Sequence, residues 1–262
     1  MNNKFRIAII IPTYNGGELF KQCLKSIEDQ NISFFQKLVI DSSSTDGTVE
    51  QAKQFGHEVV VIDKNDFDHG GTRNFALSRI TADFVIYMTQ DAILEKTNSI
   101  SNILSAFDND EVDAVYGRQL PHEDGNLLAQ HARTNSYTEK SYVTCIDDDN
   151  PKGFRKAFMS NSFAAYRVSA LRHLGGFPTK LILGEDSYIA AKILMNKRFV
   201  AYMAEATVFH SHNYTIKQEF NRYFDIGVFH RNQNWMLDSL GKVEGEGVKF
   251  VFGQLKFLVD NR

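Results

Sequence analysis

The chain has 262 residues, 43% of them hydrophobic, which suits one large domain or two small ones around a buried core. Its net charge of -3 gives no reason to expect a nucleic acid partner, and Cys23 and Cys145 are too few for a disulfide framework and lack metal-ligand spacing. A reducing compartment fits such a chain, so the expectation is a cytoplasmic protein. Met1-Asn2-Asn3-Lys4 runs straight into a short apolar strand, which is not how a secretory signal reads. No apolar run approaches the roughly 20 residues that span a bilayer, so membrane contact would be peripheral.

From Arg6 to about Tyr116 strands and helices alternate. Ile7-Ala8-Ile9-Ile10-Ile11 is a β-branched run stopped by Pro12 and reads as a strand buried on both faces. Leu19, Cys23, Leu24 and Ile27 recur at helical spacing. Leu38-Val39-Ile40 and Val59-Val60-Val61-Ile62 are the next strands, with a helix from Asp46 to Phe55 between them that Ser44 or Thr45 can cap. A helix from Thr72 to Ser78 leads to the strand Phe84-Val85-Ile86-Tyr87-Met88. This alternation with central parallel strands predicts an α/β nucleotide-binding half over residues 1–117.

Residues 118–155 are polar and irregular, including Asp147-Asp148-Asp149-Asn150-Pro151, and read as a mobile loop region. Order returns at Ser162-Phe163-Ala164-Ala165-Tyr166, followed by a helix from Ser187 to Met195 and a strand at Phe199-Val200-Ala201-Tyr202. Residues 215–262 are helical. Val248, Val251, Phe252, Leu255 and Val259 form an apolar stripe there, which Phe250 and Phe257 widen and Lys249 and Lys256 flank. Such a stripe suits a core helix or one lying on a membrane. Phe220, Tyr223, Phe224, Val228 and Trp235 make a similar stripe upstream.

The chemistry-bearing residues cluster at predicted strand ends, where open α/β sheets bind ligands. Pro12-Thr13-Tyr14-Asn15-Gly16-Gly17 follows the first strand and Asp41-Ser42-Ser43-Ser44-Thr45-Asp46-Gly47-Thr48 the second. A carboxylate at Asp41 can accept the imide N–H of a pyrimidine, whereas the hydroxyl-rich turn is equally a helix cap. In Phe67-Asp68-His69-Gly70-Gly71-Thr72-Arg73-Asn74 the glycines allow close approach to a ligand, and Arg73 and Asn74 supply a guanidinium and an amide. A solvated β–α connection is the plain alternative. Thr89-Gln90-Asp91-Ala92 follows the fourth strand, and Asp91 is a metal ligand or a turn residue. Glu185-Asp186 opens a helix, where acidic residues also suit the helix dipole. One imidazole of His210-Ser211-His212 could join Asp91 on a divalent ion, the alternative being a surface pair. No G-x-G-x-x-G follows the first strand, which disfavours a nicotinamide dinucleotide.

In order and spacing these motifs, from residue 6 to about 212, resemble the inverting glycosyltransferases of family 2, with their A-type fold. Within that family Phe67–Asn74 and Thr89–Ala92 look most like bacterial rhamnosyltransferases of O-antigen or capsule assembly. The resemblance implies a mixed α/β sheet flanked by helices, with catalytic domain 1–214, its acceptor-binding half 118–214, and a helical extension 215–262. It implies transfer of a sugar from a nucleotide-sugar donor, dTDP-L-rhamnose, to a saccharide or lipid-linked saccharide, with Asp186 as general base. Mg²⁺ or Mn²⁺ would sit on Asp91 and His210. Donor contacts would come from Pro12, Thr13, Tyr14, Asn15, Asp41, Ser43, His69, Gly70, Arg73, Asn74 and Gln90, with Glu185 and His212 on the acceptor and diphosphate side. The chain departs from the family where Thr89 replaces the first Asp of the Asp-x-Asp metal motif. Rival readings are a UDP-hexose donor, a nucleotidyltransferase, which Gly16-Gly17 without a nearby Arg serves poorly, and a silent sugar-nucleotide-binding module.

Overall fold

Aliphatic residues at every position from Ile7 to Ile11 build an interior strand of a mixed sheet. The computed structural model describes residues 5–242 and 245–261, so the reading of Met1-Asn2-Asn3-Lys4 lies outside the described residues. Strand β1 (Ile7–Thr13) sends Ile7, Ile9 and Ile11 to one face and Ala8 and Ile10 to the other, all buried. Burying each isoleucine contributes about 1.5–3 kcal/mol. Pro12 does not stop the strand. The carbonyls of Ile7 and Thr13 bond toward the next strand, β2 (Gln36–Asp41), which turns the Pro12 nitrogen to the opposite side, where pairing has ended at Ile10. The missing N–H therefore costs no ladder bond.

Helix α1 (Gly17–Glu28) follows β1 and buries Phe20, Cys23, Leu24 and Ile27. Helix α2 (Thr48–Gln54), strand β3 (Glu58–Val61), helix α3 (His69–Leu77) and strand β4 (Phe84–Met88) complete the alternating half. Then come β5 (Ile93–Leu94), α4 (Ser99–Leu104) and β6 (Val112–Leu120). The expected mobile region is ordered instead. It holds α5 (Leu127–Ser136), capped by Asn126 on the Ala129 N–H, the strand β7 (Tyr142–Thr144) and a 3₁₀ turn at Gly153–Ala157. Strand β8 (Phe163–Arg167), α6 (Val168–His173), α7 (Glu185–Met195) and β9 (Phe199–Phe209) follow, and β9 joins two segments that read separately in sequence.

The sheet order is β3-β2-β1-β4-β8-β6-β9-β5, with β7 also on β9. The first four are parallel, β8 is antiparallel to β4 and β6, and β9 is parallel to β6. Position 117 thus lies inside a strand of one continuous sheet. The same topology brings the ends of β1, β2, β4, β6 and β9 and the start of β8 to one edge. One core cluster packs under α3, α6 and α7, the other under α1 and α4.

Helix α8 (Ile216–Asn232) opens with a full capping box at Thr215 and Gln218. Its Phe229 is buried against Gly184, where an added Cβ would stand 2.7 Å from the ring. Met236 and Leu240 of α9 (Asn234–Leu240) are core as well. Helix α10 (Glu246–Asp260) differs. Phe250 and Phe257 do not widen the exposed stripe but pack on His131 of α5, at 5.1 and 5.5 Å between ring centres. The stripe Val248, Val251, Phe252, Leu255 and Val259 is exposed, Phe252 by 67%. Ile216, Phe220, Tyr223 and Phe224 of α8 are exposed too, and Tyr223 meets Phe250 at 5.6 Å, whereas Trp235 packs on Tyr188. Among the described residues no helix is long and apolar enough to cross a membrane.

Candidate functional site

Pro12, Thr13, Tyr14, His69, Arg73 and Gln90 line one pocket of about 320 Å³ at this sheet edge. A larger hollow of about 500 Å³ lies between α1 and β5, and none of the motif residues lines it. Gln90 clamps the backbone of Tyr14, accepting its N–H at 2.8 Å and donating to its carbonyl at 3.1 Å. Asn15, in the left-handed region at φ 46°, takes a bond from the Thr45 N–H and donates its own N–H to Ser44. Ser43, also at positive φ, donates to the Ile62 carbonyl. Asn15 and Ser43 therefore shape the loops behind the pocket and do not line it. Lys64 does line it and was missed in sequence, with Nζ 2.8 Å from the Tyr14 hydroxyl and 4.2 Å from its ring centre.

Asp41, expected to meet the base, is fully buried directly behind Thr13 and is not part of the pocket lining. Its carboxylate accepts from Thr13 Oγ1 at 2.9 Å and from the Ser44 N–H and hydroxyl. Asp41 acts on the slot by fixing Thr13.

The glycine-rich stretch is the first turn of α3, not a ligand-cradling loop. Asp68 caps it through the Gly71 N–H and also accepts the Lys180 N–H at 2.8 Å. Gly70 is packed so tightly that a Cβ would stand 1.8 Å from the Pro178 carbonyl oxygen. It serves close packing, not donor contact. Asn74 is likewise occupied, its amide donating to the Phe177 carbonyl and accepting its N–H, both at 2.8 Å, which locks the Gly175-Gly176-Phe177 turn onto α3. Arg73 keeps its place at the pocket. It is 4% exposed, bonds to the His69 carbonyl, and pairs with Glu185 at 3.2 Å, while its Nε is buried without a partner. Burial holds the His69 imidazole below its ordinary pKa.

Glu185 and Asp186 open α7, after Gly184 at φ 85°. Asn161 ties them together, its amide donating to Glu185 and its N–H to Asp186, both at 3.0 Å, while Tyr166 donates to Asn161 Oδ1. Glu185 is thus a buried partner of Arg73, not a ligand contact on the acceptor side. Burial, then the Glu185 charge, pushes the Asp186 carboxyl up to about 7, against backbone N–H bonds from Asn161 and Ser187 and the charge of Arg73. A carboxylate poised there suits a general base.

Asp91, His210 and His212 offer ligand atoms within 4.8 Å of one another. His210 Nε2 lies 3.5 Å from one Asp91 oxygen and His212 Nδ1 3.7 Å from the other. Gln119 Nε2 donates to Ser160, so its Oε1 faces His210 Nδ1 at 2.9 Å and assigns the proton to that nitrogen. The Nε2 lone pair then points at a carboxylate, an arrangement that a cation between them resolves. Burial drives His210 down to about 3, keeping it neutral, as a ligand must be. Burial opposes the charge on Asp91, but the polar groups around it outweigh burial and hold the carboxyl below its ordinary value, so it stays ionised beside a neutral His210. The residues present fit a divalent metal, and His212 belongs with them.

This geometry meets a family pattern. Residues 8–175 match Glycosyl transferase family 2. The chain belongs to glycosyl transferase family 2. It is 47% identical over 258 residues to the O-antigen chain rhamnosyltransferase RfbN of Salmonella typhimurium, covering 98% of this chain and 82% of that one. It is 46% identical over 255 residues to the O-antigen chain rhamnosyltransferase WbaN of Salmonella anatum, covering 97% and 81%. Among solved structures, S. aureus TarS 1-349 in complex with UDP-GlcNAc superposes with a TM-score of 0.65 at 18% identity, over 80% of this chain and 59% of that one. Mannosyltransferase PcManGT from Pyrobaculum calidifontis, in complex with GDP-Man and Mn²⁺, gives 0.61 at 21% identity, over 80% and 58%. This chain spans less than two thirds of those two solved chains, and at such identities the likeness establishes the A-type fold.

Proposed function

We propose that this family 2 glycosyltransferase moves L-rhamnose from dTDP-L-rhamnose, with inversion, to a hydroxyl of a growing lipid-linked cell-surface saccharide. The observation that carries the sugar and the acceptor class is the 47% identity to RfbN over 98% of the chain. Thr13 and Tyr14, fixed by Asp41 and Gln90, hold the base and ribose, and Arg73, at the pocket lining, offers its guanidinium to the donor. Asp91, His210 and His212 would hold Mg²⁺ or Mn²⁺, which offsets charge on the departing nucleoside diphosphate. Asp186 takes the proton of the attacking hydroxyl. With its carboxyl near 7, the residue is basic enough to accept that proton and is about half ionised at neutral pH.

The acceptor is delivered at a membrane face formed by the exposed stripes of α8 and α10, which meet through Tyr223 and Phe250. Exposed apolar surface of this kind marks an interaction site. A thermal-shift panel of dTDP, UDP, GDP and CDP, with and without Mn²⁺, tests the donor reading. Stabilisation by dTDP supports it, stabilisation by UDP alone moves it to a UDP-hexose, and preference for GDP removes it.

A further inference from the structure

One turn of the chain touches both halves of the site. Ser160, Asn161 and Ser162 stand just before β8, in a turn closed by the Phe163 N–H on the Ser160 carbonyl at 3.3 Å. On one side Ser160 accepts from Gln119 Nε2 at 2.8 Å, and Ser162 Oγ lies 3.4 Å from His210 Nε2. On the other, Asn161 reaches both acids at the start of α7. Its side-chain amide donates to Glu185 Oε1 and its backbone N–H to Asp186 Oδ2, each at 3.0 Å. Asn161 is 2% exposed, so water does not take its place. Its amide has one orientation. An ionised Glu185 only accepts, so Nδ2 faces it, and Oδ1 is left to accept the Tyr166 hydroxyl at 2.7 Å.

Two neighbouring carboxylates in a buried site do not hold charge equally. The one with the stronger donors stays ionised, and the other takes the proton. Glu185 Oε1 receives both the Arg73 guanidinium at 3.2 Å and the Asn161 amide. Asp186 is held by backbone N–H groups, from Asn161 and from Ser187 at 2.7 Å. Around the pair stand Arg73 and His69 of α3, Tyr166 of β8 and Tyr137 just beyond α5. Burial keeps the two phenols protonated and the imidazole neutral at pH 7. Arg73 is thus the fixed cation at the acids, and the Asn161 amide is a neutral donor that adds to it on the Glu185 side.

We propose that Asn161 is a positioning residue for transfer: its amide keeps Glu185 as the ionised partner of Arg73, leaves Asp186 as the proton acceptor, and holds that acceptor in place relative to Asp91, His210 and His212. The inference rests on the reading of Asp186 as general base. Asn161 lies outside the pocket lining and acts through the two acids. Tyr166 stands one step further back and acts through Asn161 Oδ1.

The test compares the full chain with Asn161→Ala and with Tyr166→Phe, which keeps the ring in the core and removes only the hydroxyl. Carboxyl ¹³C shifts of Asp186 and Glu185 are followed against pH by NMR, with assignments from Asp186→Asn and Glu185→Gln. In wild type Asp186 should take its proton near pH 7 while Glu185 stays ionised. Losing one hydrogen bond to a charged group should raise the proton affinity of Glu185 about tenfold in Asn161→Ala. Asp186 then titrates at lower pH, and part of the shift change appears at Glu185. Tyr166→Phe should move both the same way by less, and the double variant should match Asn161→Ala, because the hydroxyl has nothing left to hold. In parallel, dTDP affinity with Mn²⁺ should stay within about twofold of wild type while hydrolysis of dTDP-L-rhamnose, where water replaces the acceptor, slows about tenfold or more. Unchanged titration of both carboxyls in Asn161→Ala overturns the proposal. So does a joint loss of dTDP affinity and melting temperature with the proton still on Asp186, which marks a packing role. Altered titration with hydrolysis at the wild-type rate leaves Asn161 setting the charge of the two acids and removes Asp186 as the base.

Discussion

Arg73 and Glu185 face each other at 3.2 Å, both nearly buried, and join the first turns of α3 and α7. Burial raises the Asp186 carboxyl most, Glu185 adds to it and Arg73 opposes it, so this ion pair tunes how basic the adjacent residue is. Glu185→Gln removes the raising charge and leaves Arg73 unpaired. The activity profile should shift to lower pH, and stability should fall by roughly 3–5 kcal/mol, the usual cost of breaking a buried pair from one side. Urea unfolding and a pH–rate series on the variant measure both.

The Asp186 carboxyl gives the wild-type enzyme a defined pH dependence. In the proposed base role its proton must be off for catalysis, so kcat/KM should rise through about pH 7 and then level. The stability effect has the opposite sign. A carboxyl raised by folding binds more protons in the folded than in the unfolded chain, so its contribution is complete below about pH 4 and is lost as pH rises through the folded value. Asp186→Asn cannot ionise, and its melting temperature should exceed that of wild type at pH 8, the gap closing toward pH 5.

Gln119 acts on the metal site through His210. Replacing it with Leu removes the acceptor that holds the Nδ1 proton, freeing the ring to present the wrong nitrogen. Mn²⁺ affinity should drop by about 10–100-fold with little change in fold. Titration of Mn²⁺ against the variant, followed by proton relaxation, reads this directly.

Gly70 is a packing position. Gly70→Ala drives a methyl into the Pro178 carbonyl, which is backbone and cannot turn aside. The loss should be about 1–3 kcal/mol or more, seen as a lower melting temperature, because overpacking forces the first turn of α3 away from the loop before α7.

The α/β alternation was legible because buried parallel strands read as aliphatic runs, as at Ile7–Ile11 and Phe84–Met88. The motifs at the strand ends were legible too, and Asp91, His210, Arg73 and Asp186 all lie at the sheet edge expected for them. Helix α5 was not. It buries only Ala129 and His131, so no apolar stripe announces it, and Asn126 as its cap was the one local signal. Gln119 was hidden for another reason. It stands 91 residues from His210, and only the β6–β9 pairing brings them together. The packing roles of Gly70 and Asn74 were not legible, because glycine and amide side chains serve close packing as readily as ligands. Asp41 lies on the strand expected for it, and its bond to Thr13 was not legible because the two are 28 residues apart.

The exposed stripe of α10 separates two roles of the C-terminal segment. Deleting residues 247–262 removes Phe250 and Phe257 from His131 but leaves Phe229, Met236 and Leu240 in the core. The shortened protein should remain folded and hydrolyse donor while losing sedimentation with liposomes. Unfolding or aggregation on truncation would show that α10 is needed for the core.

The account stands most directly on Asp186, and one paired measurement tests it: dTDP affinity and the rate of transfer from dTDP-L-rhamnose in purified Asp186→Asn. A general base at Asp186, as proposed, would touch the acceptor hydroxyl and not the donor, so dTDP binding should stay within about twofold of wild type while transfer falls by about 10²–10⁴-fold. Transfer at the wild-type rate, with an acceptor present, would contradict it.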